Sequence, residues 1–262
     1  MRKYWELYKS QIKLDSAYSA WYWATMFTGI LNLVVIYAFW HAVYATKTQL
    51  GGMNLTTMIT YAVLALILGN YTSGVGDQLS RNIRDGSVSI ELMRPYDLLF
   101  KLVALDIGTK TTRTIQGTIP VLVLAFAFMG IRPPASILSG VLFPISAGIA
   151  VLIGTQLDLM VGVLAFWLVN MWGMRVLRDA VLSFFTGSLI PISLFPAWLQ
   201  TLSSFLPYKW MVFVPVSIYT GTISGHQVFF SIGIQLVWLA ICFLFARLVW
   251  NFARKRVTIF GG

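Results

Sequence analysis

Runs of about twenty apolar residues recur along this chain, and a helix of that length crosses a hydrocarbon core of ~30 Å at ~1.5 Å rise per residue. Residues 26–40, MFTGILNLVVIYAFW, and residues 234–250, IQLVWLAICFLFARLVW, are the centres of two of them. Inside a bilayer every backbone amide and carbonyl must find a partner within the protein, so spanning segments are helices or closed barrels. The alternating apolar–polar ten-mers of a membrane barrel are absent. Only 11% of the 262 residues are charged, where a soluble domain carries about 25%. A water-soluble fold has nowhere to hide the 58% that are apolar. The expected fold class is therefore all-α, a polytopic membrane protein forming one transmembrane domain over residues 1–262.

Residues 3–20 set Tyr4, Trp5, Tyr8 and Ile12 at helical spacing among Lys3, Lys9, Lys13 and Asp15. That pattern predicts an interfacial helix over 1–21, lying among lipid headgroups. The same charges make the N-terminus unlike a cleaved signal. Spans are expected at 22–44, 55–76, 114–131 and 227–249, with a polar segment at 77–113. A fourth apolar stretch begins near Ile137. One layout takes it through Asp158 to about Val169, with a turn at Gly173–Asp179 and six spans in all. Another makes Thr155–Asp158 a surface hairpin and gives eight. The six-span layout is preferred because it keeps Arg175 and Arg178 inside. Residues 187–224 hold Pro191, Pro196, Pro207 and Pro215, too many for one helix. They are expected to form re-entrant half-helices on the outer side.

Basic residues fix the orientation. With both termini, 77–113 and the Arg175/Arg178 turn in the cytoplasm, sixteen of the nineteen Lys and Arg residues lie inside; Lys47, Arg132 and Lys209 lie outside. This placement also accounts for the net charge of +10, which flanks spans instead of forming a nucleic-acid face.

Chemistry is sparse. Gly108-Thr109-Lys110-Thr111 lacks the spacing of a phosphate loop. His41 and His226 stand alone, without a second ligand. The single Cys242 forms neither an intrachain disulfide nor a metal cluster. The chain is therefore not expected to be an enzyme, and it offers no cofactor site of its own. Asp158, with Thr155 one turn before it, is a candidate for the translocation path, because a carboxylate at membrane depth costs about 2.5–3.5 kcal/mol on insertion scales.

The segment RNIRDGSVSIELMRPYD, residues 81–97, mixes signs where a lipid-binding stretch would be basic, and so suits a protein partner. Gly86 is placed to end a helix begun near Asp77, and Pro95 and Asp97 to start another. IRDGSVSIELMRPYD resembles the Ile-x-x-Gly…Leu-x-Arg-Pro signature of permease subunits of bacterial type 2 ATP-binding-cassette exporters. AFWLVN at 165–170, FFTGSLIPISLFPAWL at 184–199, FLPY at 205–208 and Gly261-Gly262 are similar to that family too, in the same order. Tyr208 stands where the family favours Phe.

The resemblance implies a six-helix half-transporter in the bacterial inner membrane, working with a second permease, identical or paralogous, and two copies of a separate ATPase that binds ATP and Mg. It puts the ATPase-coupling helix near Ile83, Arg84, Asp85, Gly86, Glu91, Arg94 and Pro95. It does not choose among drugs, peptides, lipids and glycans as substrate. Two other readings compete: an ion-coupled secondary transporter using Asp158, and a membrane anchor or sensor recruiting a cytoplasmic partner.

Overall fold

A computed structural model describes residues 2–17, 19–168 and 170–256. Tyr18, Val169 and the terminal Gly261-Gly262 lie outside the described residues. Those residues are helical apart from turns and one isolated bridge between Leu50 and Met53. The α-helices are α1 (Arg2–Ala17), α2 (Ser19–Tyr44), α3 (Leu55–Gly69), α4 (Val75–Arg84), α5 (Ser87–Leu92), α6 (Leu98–Arg113) and α7 (Ile119–Met129). They continue with α8 (Ile137–Val163), α9 (Trp172–Phe185), α10 (Ala197–Ser204), α11 (Phe213–Thr220) and α12 (His226–Ala253). Among the described residues four stretches are long and apolar enough to cross a membrane: Trp23–Tyr44, Leu98–Met129, Ile137–Phe166 and His226–Arg256.

Three boundaries differ from expectation. The second apolar run stops at Gly69, not at 76, and the chain turns at Asn70–Gly74 before α4. Residues 98–113 do not belong to a separate polar segment. Asp97 caps α6 by accepting from the Phe100 N–H (3.0 Å), so the helix starts after Pro95 instead of at it. It then runs through a π-turn at Thr114–Thr118 into α7. Pro120 explains the wide turn, since it withholds the N–H that an α-helix would give to the Gln116 carbonyl. Third, the stretch from Ile137 passes through Asp158 to Phe166 as one helix, which excludes the Thr155–Asp158 hairpin, and Gly173–Asp179 is helical, not a turn.

Hydrogen bonds define two ends of the bundle. At one end the Ala135 N–H donates to the Tyr219 carbonyl (3.0 Å), and the Tyr219 hydroxyl donates to that of Arg132 (3.1 Å). The other end gathers α4, α5, the start of α6 and the close of α12 around Leu79, Leu102 and Trp250. Between them, Gln235 of α12 donates to the Trp210 carbonyl (2.7 Å) and accepts from the Ser146 hydroxyl (2.8 Å). Gln235 and Ser146 each stand nine residues inside their helices, about 14 Å from the end. The irregular backbone at 208–212 is thus buried mid-bundle, and a side-chain amide meets its orphan carbonyl. From there α11 returns to the Arg132 end, and the Phe213 N–H donates to the Thr186 carbonyl at the end of α9 (3.0 Å).

Candidate functional site

Two linked features stand at the α4 end: a braced tip and a buried ionic junction beneath it. The tip is local in origin. Asp85 accepts from both the N–H (2.9 Å) and the hydroxyl (2.7 Å) of Ser87, and Gly86 takes φ +77°, a left-handed conformation that favours glycine. The chain therefore ends α4 and begins α5 with almost no connecting loop. Val88 turns into the core, whereas Ile90, Leu92 and Met93 face outward, Met93 at 87% exposure. Three exposed apolar side chains in a charged segment are what a docking surface presents.

Polar contacts hold that tip in place. Glu91 Oε2 accepts from Lys101 Nζ (2.6 Å) and the Tyr96 hydroxyl (2.9 Å), and Arg94 donates to that hydroxyl (3.2 Å). Lys3 Nζ donates to the Pro95 carbonyl (2.6 Å), and the Asp97 N–H donates to the Tyr4 hydroxyl (3.0 Å). From α12, Arg247 pairs with Asp97 (2.5 Å) while its guanidinium lies 4.4 Å from the Phe100 ring centroid. Burial works to raise the Glu91 pKa, and the Lys101 and Tyr96 hydrogen bonds outweigh it, leaving the carboxyl below its ordinary value. Asp97 follows the same pattern, with burial opposed by Arg247 and the Phe100 amide.

The sequence-selected coupling residues thus separate into classes. Arg84, Asp85, Gly86, Arg94 and Pro95 are exposed, and Ile83 packs partly into the core below. Glu91 is only 13% exposed and faces its own protein. Charge reversal should distinguish them. Glu91→Lys sets a cation against Lys101 and is expected to lower the thermal midpoint in detergent, whereas Arg94→Glu, at an exposed residue 3.8 Å from Glu91, is expected to lower it much less. With its pKa lowered on folding, Glu91 contributes stability above the ordinary carboxylate range, and this is lost as pH falls through the lowered value. A pH series on wild type and Glu91→Gln checks that: the gap between them should close in acid.

Beneath the tip, α8 supplies Asp158, 1% exposed. Its Oδ2 accepts from the N–H groups of Gly74 (2.8 Å) and Gly76 (2.7 Å), which open α4. Its Oδ1 is ion-paired with Arg178 of α9. A carboxylate at a helix N-terminus meets unpaired amides and the positive end of the dipole. Arg178 neutralises the charge that burial would otherwise make costly. Close backbone packing permits this: a Cβ on Gly76 would overlap the Asp158 carbonyl, and one on Gly162 would lie 2.6 Å from the Gly76 carbonyl oxygen.

One turn earlier, fully buried Thr155 shares a second network. Lys110 Nζ donates to Asp106 Oδ2 (2.5 Å) and to Thr155 Oγ1 (3.0 Å), while Asp106 and Thr155 lie 3.0 Å apart. Lys110, which sat in the phosphate-loop look-alike, is therefore a mid-helix ion-pair partner. A third pair, Arg175 with Asp77 (3.3 Å), joins α9 to α4. Sequence reasoning singled out Asp158 and Thr155 but not Arg178, Asp106 or Lys110, because these lie on other helices. It also passed over Ile90, Leu92 and Met93; their signal was apolar side chains inside the most polar stretch.

Among the described residues no group of three or more His, Cys, Asp or Glu side chains is placed to hold a metal. No curated protein matches the chain. The sequence model of a family described as ABC-2 family transporter protein matches residues 30–261.

Proposed function

Because the chain belongs to the ABC-2 family of transporter proteins, we propose that it is the membrane-spanning permease subunit of an ATP-driven exporter, forming half of a translocation path and receiving work from a separate ATPase. The family is a membrane component of transporters, and it implies association with such a subunit. In this reading a second permease, identical or paralogous, and two ATPase copies complete the complex in a bacterial inner membrane, and ATP and Mg bind the partner alone.

The observation that carries the proposal is the exposed Ile90–Leu92–Met93 tip, held by three elements and seated on the Asp158 junction. A partner's ATP cycle drives transport only if it favours one membrane conformation over another. The tip supplies the contact, and the junction ties that contact to α8 and α9. Six crossings follow if the short α3 counts as the second and α9 and α11 together form a broken fifth. In that arrangement 187–212 dips in from the outer surface, and both chain ends and 75–97 face the cytoplasm. Asp158 and Thr155 then serve as the anchor of the coupling unit. Since both Asp158 oxygens have partners, the ion-coupled alternative has no free carboxylate there.

Co-purification tests the central reading. In mild detergent the chain should bring down a subunit with a Walker motif, and retained transport without one would sink the proposal. Orientation has its own test. In a Cys242→Ala background, Thr48→Cys should react with an impermeant reagent in whole cells and Ser87→Cys should not. Labelling of Ser87→Cys from outside would overturn the topology.

A further inference from the structure

A cavity of about 370 Å³ opens between α6, α8 and α12, beside the Arg247–Asp97 contact and apart from the exposed Ile90, Leu92 and Met93. Its walls are apolar, with Phe100, Leu236, Ala240 and Phe243 among them. Along α12 it reaches from Leu236 to Arg247, eleven residues or about 16 Å, which is the depth of one leaflet of a ~30 Å hydrocarbon core.

Two polar features interrupt this surface. Gln156 lines the cavity at 6% exposure, and its side-chain amide has no hydrogen-bond partner among the described residues. Such an amide at membrane depth is costly unless the occupant of the cavity bonds to it. The second feature lies at the rim. Arg247 gives one N–H to Asp97 Oδ2 (2.5 Å) and rests on Phe100 and Phe243, and its remaining donors engage no described hydrogen bond. A guanidinium with free donors matches a phosphate. The adjacent Asp97 carboxylate, 38% exposed, would repel a purely anionic headgroup and attract one that also carries an ammonium.

We propose that this groove binds a glycerophospholipid with an amine-bearing headgroup: phosphate on Arg247, ammonium toward Asp97, one acyl chain along α12, and an ester carbonyl accepting from Gln156. Placing it in the cytoplasmic leaflet rests on the orientation proposed above, but the site itself does not.

The test uses the full-length chain without any ATPase, so its outcome is independent of the transport reading. The protein is purified in mild detergent, delipidated, and exposed to phosphatidylethanolamine, phosphatidylglycerol or phosphatidylcholine, with bound lipid counted by native mass spectrometry. One phosphatidylethanolamine should be retained about fivefold more than phosphatidylglycerol, the scale of one partly exposed charge pair. Ala240→Phe fills the groove without touching Arg247 or Asp97 and should abolish that retention while elution volume stays unchanged. Gln156→Leu keeps the volume and should weaken retention of all three lipids alike. Equal retention of phosphatidylglycerol, or undiminished binding by Ala240→Phe, would overturn the proposal. So would an elution shift in Ala240→Phe alone, which would show that a second copy of the chain covers the groove.

Discussion

Asp158→Ala is expected to lower stability by about 3–5 kcal/mol, the range for removing one partner of a buried ion pair. The N–H groups of Gly74 and Gly76 lose their acceptor, and the guanidinium of Arg178 loses its buried one and keeps only the exposed Asp179 (2.8 Å). Asp158→Asn should fall between, because its amide oxygen still accepts from an α4 amide but leaves Arg178 with the exposed Asp179 as its only carboxylate. The informative variant is the double change Asp158→Ala with Arg178→Met. It removes a largely buried cation left with one exposed carboxylate, and it should recover part of the loss even though it alters two residues instead of one. Thermal midpoints of the four proteins in one detergent would show this. A single Asp158→Ala variant that melts with wild type would mean that the carboxylate does not hold α4 to α8.

The second large effect should appear with no change in stability at all. Met93 is 87% exposed, so Met93→Asp is expected to insert, fold and melt like wild type. Its cost falls on the partner. Burying a new carboxylate in an apolar pocket should weaken ATPase association by at least about 2 kcal/mol, roughly thirtyfold. Quantitative pull-down of the ATPase by wild type, Met93→Asp and Arg94→Glu ranks the contributions, and Met93→Asp should be the most impaired. Equal recovery of the ATPase by all three would move the docking surface elsewhere.

Much of this protein could be read before its structure. Apolar runs announced α2, the stretch through α8 and α12, since a helix facing lipid needs only length and the absence of charge. Gly86 between two short helices was equally local: a left-handed turn needs a glycine, and Asp85 and Ser87 supply the hydrogen bonds around it. What failed depended on distance. The end of α6 was misplaced because Lys110 and Arg113 read as a polar surface, whereas Lys110 is buried against Asp106 of its own helix and Thr155 of α8. Asp158 looked like a free carboxylate because its partner, Arg178, is twenty residues away on another helix. Glu91 looked like a docking residue for the same reason, its cation Lys101 lying one helix further on. Charge visible in a sequence is charge before pairing, and only the packed helices show what remains.

The glycines at the α4–α8 crossing bear on how movement would pass through the molecule. Where side chains separate two helices, rotamers can change and absorb a displacement of an ångström before the second helix responds. At Gly76 and Gly162 peptide planes rest on one another, and planar amides have no such freedom. That joint has almost no compliance. A push on α4 reaches α8 without slack, and a methyl group added at either glycine would act as a shim, prising apart a lever that works only while its two arms touch.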